Sequence, residues 1–429
     1  MDTLRDHTDA PTVTAADVEL AAQNLEVLVR RTPVEISERL SRIAGVPVYL
    51  KREDLQLCRS FKVRGAYHRM SQLSPQERER GVVCASAGNH AQGVANACRR
   101  LGIHGTIYLP LSTPRQKRDR IRTIGGEWVQ LEFVDGSFDT AQNVALEDSK
   151  TTHRTYIHPY DDPAVIAGQG SVAIELSEQL GSDVKNVLVP VGGGGLLGGM
   201  ATWLREARPD IRIIGVESAG AASAHAALAA GKPITLPRID SFVDGTAVSR
   251  VGDNTFVIIQ SLVDDLIVVD EGAVCTEMLD LYHTDGIIAE PAGAMASSAL
   301  VAAAEGRIAD LDLEGPTAVI VSGGNNDLSR YSEVMERSQH YQGIRHYFLV
   351  SFPQQPGALR LFLSEVLGPD DDIVHFEYTK KTNRHTGPAL VGIDIHSPAD
   401  LPALLDRMEA SPLRMERVPT DSDLLRFLV

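Results

Sequence analysis

The sequence predicts an α/β protein built on parallel sheets, followed by a smaller α+β unit, and three observations carry that prediction. From Val82 onwards short apolar strands alternate with helices, and the alternation resumes at Val187; repeated strand–helix–strand units imply a parallel sheet covered on both faces. Beyond residue 340 the order becomes β-α-β-β-α with a last short strand, the outline of one ferredoxin-like unit. A chain of 429 residues is also too long for a single core. A large domain over 1–340 and a small one over 341–429 are therefore expected.

The elements follow in order. Thr14 ahead of Ala15-Ala16-Asp17 reads as a helix start. Residues 48–50 read as a strand entered through Pro47, where a missing N–H is tolerated. Residues 61–73 form the next helix, with Lys62 in its first turn. Strand 82–85, helix 90–101, strand 105–109, helix 114–124 and strand 128–131 come next, then strand 187–191, helix 196–207, strand 211–217 and a later strand 317–321. In the tail, strands at 344–351, 373–378 and 389–395 surround helices at 356–366 and 398–408, with a last strand near 413–418. Parallel sheets bind ligands at the carboxyl ends of their strands. Three loops fall there: Ser86-Ala87-Gly88-Asn89, the glycine run from Gly192, and Ser322-Gly323-Gly324.

Composition excludes several function classes. The net charge of −16 argues against a nucleic-acid or anionic-membrane partner, and 5% aromatic content against a base-stacking platform. Cys58, Cys84, Cys98 and Cys275 show no metal-type spacing and suit a reducing cytoplasm. The histidines form no HExxH pair, so no catalytic metal is expected. The uncharged run 187–204 contains Pro190 and six glycines, which suits a strand, loop and helix start better than a membrane span. The polar N-terminus carries no signal-peptide core.

The chemistry is concentrated in a few short stretches. In Ser60-Phe61-Lys62-Val63-Arg64-Gly65-Ala66, the apolar neighbours of Lys62 favour partial burial, which depresses a lysine pKa and makes the amine a better nucleophile. The Gly88-Asn89 turn and the run Gly192-Gly193-Gly194-Gly195-Leu196 can each cradle an anion through backbone N–H groups at a helix start. An imine-forming amine with two anion cradles suggests pyridoxal phosphate and an amino-acid substrate. Gly193-x-Gly195-x-x-Gly198, with Glu217 at the end of the next strand, also matches the dinucleotide fingerprint of a dehydrogenase. A dehydrogenase has no need of Lys62, Asn89 or Ser322. His90 reads as a loop or cap residue, and Glu290 before Pro291 as either a helix cap or a functional acid.

In this order the motifs resemble the biosynthetic threonine dehydratases (threonine ammonia-lyases), among the fold-type II, tryptophan synthase β-like pyridoxal phosphate enzymes. The resemblance runs over about 15–337, and the tail is similar to the ACT-like regulatory half. It implies pyridoxal 5'-phosphate on Lys62 with Phe61 beside it. The substrate carboxylate falls to Ser86, Ala87, Gly88, Asn89 and His90, and the ring hydroxyl to Asn89. The phosphate falls to Gly192, Gly193, Gly194, Gly195 and Leu196, and the ring nitrogen to Ser322. It further implies β-elimination and deamination of L-threonine, with L-serine secondary, to 2-oxobutanoate and ammonia at the first step of isoleucine synthesis. Isoleucine is the implied inhibitor, valine a candidate second effector, and a cytoplasmic homotetramer the implied assembly. Segments 353–359 and 375–381 are the candidate effector edges. Cys58-Arg59 replaces the Thr-Gly of many relatives, and the run after Glu217 lacks the second acid of a divalent-metal site, as found in the serine racemase branch. The alternatives are a catabolic threonine or serine dehydratase, a serine racemase or β-replacement synthase, and a non-catalytic amino-acid sensor.

Overall fold

The computed structural model describes residues 13–380 and 384–419, with 422 and 424. Two compact units divide after Asn326. In the first, β1 (Val34–Ile36) and β2 (Val48–Arg52) pair antiparallel. The chain then leaves to build a parallel four-stranded sheet from β3 (Val82–Ala85), β4 (Gly105–Pro110), β5 (Val129–Val134) and β6 (Thr155–Tyr156), in the order β5-β4-β3-β6. It returns with β7 (Asn186–Pro190), β8 (Arg212–Ser218), β9 (Asp265–Val269) and β10 (Thr317–Val321) to complete a six-stranded sheet, β1-β2-β10-β7-β8-β9. All its pairings except β1–β2 are parallel.

Burial explains the strand sequences. β3, β7 and β10 are buried at every residue, so they read as continuous apolar runs and not as alternations. The larger core joins Val187, Val189, Leu197, Met200, Ile213 and Ile320, and the smaller joins Met70, Cys84, Val94, Ile107, Ile121 and Ile157. Helix Pro163–Leu180 starts where Asp162 accepts N–H bonds from Ala164 and Val165 and Pro163 takes the first helical position.

The second unit is an antiparallel sheet of β11 (Arg345–Pro353), β12 (Asp372–Tyr378), β13 (Thr386–Asp394) and β14 (Arg414–Arg417), in the order β12-β13-β11-β14. Helices Ala358–Glu365 and Leu401–Ala410 supply Phe362 and Leu404 to a core with Phe348, Val350, Phe352 and Val391. This is the β-α-β-β-α-β order read from the sequence. The sequence boundary near 340 falls inside the second unit, because helix Tyr331–Tyr341 is tied to β11: the Tyr347 hydroxyl donates to Glu336 at 2.5 Å and Arg345 pairs with the same carboxylate. Lys381, the end of one candidate effector edge, lies outside the described residues, as does the stretch before residue 13. Among the described residues, no helix is long and apolar enough to cross a membrane.

Candidate active site

Three strand ends and one helix start converge. A single pocket is lined by Phe61, Lys62, Asn89, Gly192, Gly193, Gly194, Gly195, Leu196 and Ser322, and also by Tyr160, Pro190, Gly245, Thr246, Glu290 and Ala292. The first nine are the sequence-predicted cofactor residues; the other six were not singled out for the cofactor by the motifs.

Lys62 opens helix Lys62–Ser71, and the rest of its motif locks that turn in place. Arg64 is fully buried and donates to Glu53 at 2.8 and 2.9 Å and to Glu175 at 2.7 and 3.0 Å. Lys51, also fully buried, pairs with Glu175 at 2.7 Å, so two buried cations share two carboxylates. Helix Asn89–Leu101 packs so closely that a Cβ at Gly93 would fall 2.9 Å from the Lys62 carbonyl oxygen, and helix Pro163–Leu180 so closely that one at Gly65 would fall 2.5 Å from Gln169 Nε2. The Arg and Gly of Lys-x-Arg-Gly therefore serve the placement of the lysine.

The Lys62 amine donates to the Pro159 carbonyl at 2.8 Å. Burial pulls its pKa down to about 8, against the smaller opposing pull of Glu290. An amine of this kind is a nucleophile near neutral pH. Burial pushes Glu290 up to about 7. It occupies the cap position of helix Pro291–Ala304, but its side chain makes no cap bond; it accepts from Asn89 Nδ2 at 2.5 Å. Of the two readings left open, the geometry favours the functional acid over the cap.

The glycine run turns from β7 into helix Gly195–Ala207. Gly194 sits at φ +87°, a left-handed conformation that side chains resist, and a Cβ at Gly193 would lie 2.2 Å from the Tyr160 ring. The run lines the pocket at a helix N-terminus, where an anion is favoured. Ser322, after β10, is 2% exposed and donates to the Ala292 carbonyl at 3.1 Å.

In the Ser86–His90 stretch, Gly88 is the cap residue of helix Asn89–Leu101, and its N–H donates to Ser86 Oγ at 3.1 Å. His90 requires a correction. It is neither a loop nor a cap residue but a buried first-turn residue, its Nε2 bonded to the Ile157 carbonyl at 2.9 Å. Burial holds its pKa near 3. Its side chain is committed to the core, and only its backbone is left for a substrate. Of the five predicted substrate residues only Asn89 lines the pocket; Ser86, Ala87, Gly88 and His90 do not. Cys58 is buried against the Gln92 carbonyl, and burial pushes its thiol up to about 12, so it is no nucleophile. Glu217, the acid of the dinucleotide reading, is fully buried and accepts from the Ala224 and His225 N–H groups, capping a helix start of its own protein.

The set fits pyridoxal phosphate. A weakly basic amine, a glycine turn at a helix N-terminus and a buried serine hydroxyl line one pocket, the chemistry that an aldehyde, a phosphate and a pyridine ring would call for. One of the missed liners has a visible cause. Tyr160 enters because its ring packs on Gly193, a close approach that a run of glycines announces without naming the partner.

Comparison with known proteins gives the same outline. Residues 25–323 match the pyridoxal-phosphate dependent enzyme family, and residues 336–428 match the C-terminal regulatory domain of threonine dehydratase. The L-threonine dehydratase biosynthetic IlvA of Mycobacterium leprae is 52% identical over 98% of this chain and 97% of its own; that of Bacillus subtilis is 48% identical over 95% and 96%. Among solved structures, the processed form of threonine deaminase isoform 2 from Solanum lycopersicum is similar at TM-score 0.70 and 38% identity, covering 77% of this chain and 96% of that one. Maize serine racemase is similar at TM-score 0.70 and 32% identity, covering 77% and 98%.

Proposed function

The chain belongs to the pyridoxal-phosphate dependent enzymes and carries a threonine dehydratase regulatory domain, and from that premise we propose that it deaminates L-threonine to 2-oxobutanoate and ammonia, the entry to isoleucine synthesis, with L-serine as a secondary substrate. The observation that best supports this is the convergence of Lys62, Asn89, the 192–196 turn and Ser322 on one pocket.

When bound, pyridoxal phosphate supplies the electron sink for the pair left at the substrate Cα. The protein's part is binding, orientation and proton transfer. Lys62 would hold the cofactor through Nζ and, when free, takes the Cα proton onto Nζ; its lowered basicity lets it give that proton up to solvent or to the departing hydroxyl, and not back to Cα, before the next turnover. Pro159 holds the amine in place through its carbonyl. Backbone N–H groups of Ala87, Asn89 and His90, at the start of a helix, orient the substrate carboxylate; those of Ser86 and Gly88 are taken by the Tyr108 carbonyl and by Ser86 Oγ. The 192–196 turn holds the phosphate, and Phe61 and Tyr160 wall the pocket. Ser322 offers a neutral hydrogen bond in place of a carboxylate, which limits how long charge rests at Cα and favours loss of the β-hydroxyl over transamination.

The second unit carries the regulatory role. Isoleucine is the inhibitor in this reading, valine a second effector, and segments 353–359 and 375–381 the effector edges; coupling of this kind amounts to about 1–3 kcal/mol. The enzyme works as a cytoplasmic homotetramer.

The test is the initial rate of 2-oxobutanoate formation from L-threonine, with and without isoleucine. Turnover that isoleucine shifts to higher threonine supports both halves. Turnover indifferent to isoleucine keeps the lyase and removes the regulatory assignment, and racemised serine with no keto acid removes the lyase.

A further inference from the structure

Asn89 is held from both ends. Its Nδ2 donates to Glu290 at 2.5 Å, and its Oδ1 accepts from Asn325 Nδ2 at 2.7 Å; Asn325 is itself fixed by a second bond to the Cys58 carbonyl, also 2.7 Å. Glu290 has little room to move: it is 4% exposed, and a Cβ at Gly323 would fall 2.1 Å from its Oε1. A carboxamide carries two N–H donors and one carbonyl. Glu290 takes one N–H and Asn325 takes the carbonyl, and among the described residues no other protein bond uses the second N–H. In its ionised form Glu290 accepts and does not donate, so it fixes which way round the amide sits; a residue at 290 that can also donate would leave the flipped amide open.

We propose that Glu290 and Asn325 are positioning residues that clamp the Asn89 carboxamide, so that its remaining N–H is presented to the oxygen on the ring of the bound aromatic aldehyde. The proposal rests on the pyridoxal phosphate reading above. Neither residue transfers a proton in it; both act through Asn89. The clamp also explains why Asn325 follows Gly323-Gly324: those two residues let β10 turn back close enough for Asn325 to reach both Asn89 and the Cys58 carbonyl.

The test is pyridoxal phosphate affinity, measured by equilibrium titration of the apoenzyme, together with the visible absorption band of the bound cofactor. Variants Glu290→Ala, Glu290→Gln, Asn325→Ala, Asn89→Ala and the double variant Asn89→Ala/Glu290→Ala are compared, each checked for fold by circular dichroism. Glu290→Ala and Asn325→Ala are expected to weaken binding about tenfold and shift the band, the scale of one buried hydrogen bond. Glu290→Gln keeps an acceptor and is expected to lose less. In the Asn89→Ala background, Glu290→Ala adds nothing further, the signature of action through a shared partner. Wild-type affinity and spectrum in Glu290→Ala, or a full additional loss in the double variant, overturns the clamp. If Glu290→Ala does not fold, Glu290→Gln and Asn325→Ala decide, and unchanged binding in both overturns it. A wild-type apoenzyme that fails to bind pyridoxal phosphate at all overturns the cofactor reading itself, a result distinct from the others.

Discussion

In the first unit Lys51, Arg64, Glu53, Glu217, Glu277 and Glu290 are all buried, and glycines stand where helices and loops approach within a Cβ of one another. The core of the second unit is aromatic and aliphatic, Phe348, Phe352, Phe362, Val391 and Leu404, and its Arg345–Asp394 pair stays partly open to solvent. The contrast shows what a site demands. A lysine is held neutral near pH 8 only by withdrawing it from water, and the carboxylates that share that interior need buried cations and close-packed backbone to hold them. The second unit carries a lighter load, with His346 buried beside Arg417, and it leaves Leu359, Leu363, Phe376 and Tyr378 between 39% and 45% exposed.

The comparison can be broken in several places, the largest effect first. Lys62→Ala is expected to lower turnover by about 10³-fold or more while the circular dichroism spectrum stays native; substantial residual 2-oxobutanoate production would falsify its role. Phe362→Ala empties the second core and costs that unit about 3–5 kcal/mol. Calorimetry should show an early transition, with the isoleucine response lost and basal turnover kept; lost basal turnover would mean the two units do not divide the labour. Gly193→Ala drives a methyl into the Tyr160 ring, a strain of about 1–3 kcal/mol, and is expected to weaken pyridoxal phosphate binding roughly tenfold. Unchanged affinity would detach the turn from the phosphate.

The pH effect is smaller. Only the neutral amine attacks an aldehyde, so capture of pyridoxal phosphate by the apoenzyme should rise with pH and level off above about 8, not 10.5. The stability sign follows from the same shift. The folded value lies below the unfolded one, so the unfolded chain binds more protons between pH 8 and 10.5, and the Lys62 contribution to apoenzyme stability rises across that window. A stopped-flow capture rate that keeps rising through pH 9.5 without levelling would contradict a buried amine. The smallest effect concerns Arg59, at φ +53°, a left-handed conformation that favours glycine. Arg59→Gly is expected to be neutral or to stabilise by about 1 kcal/mol, measured as a shift in denaturation midpoint; clear destabilisation would show that the guanidinium has a task of its own.

Much of this was legible from local sequence. Strands 82–85 and 317–321 are found at those residues, and the helix and strand ends elsewhere differ by a few positions. That Lys62, Asn89, the glycine run and Ser322 belong to one pocket was readable because imine chemistry, anion cradles and the family resemblance call for such residues at strand ends. What stayed hidden was long-range. β10 inserts between β2 and β7, a pairing of segments far apart in sequence that no local pattern encodes. Helix Pro163–Leu180 carried an Asp-Pro start that could have been read, yet its burial on most sides blurs the amphipathic period. The Arg64 network and the Glu290–Asn89–Asn325 chain depend on contacts across the first unit. His90 misled for the same reason: in sequence it sits beside the loop, and in space it points at the Ile157 carbonyl.

The parked amine has a practical consequence. Lys51, the other lysine depressed by burial, is enclosed by Glu175, Gln179 and the Thr32 carbonyl, whereas Lys62 faces a pocket. A limiting dose of a small acylating or aldehyde reagent near neutral pH should therefore mark the apoprotein at one lysine, and saturating cofactor should shield that mark. Peptide mapping of the labelled protein would convert the pocket into a selective handle for attaching probes, without an engineered cysteine.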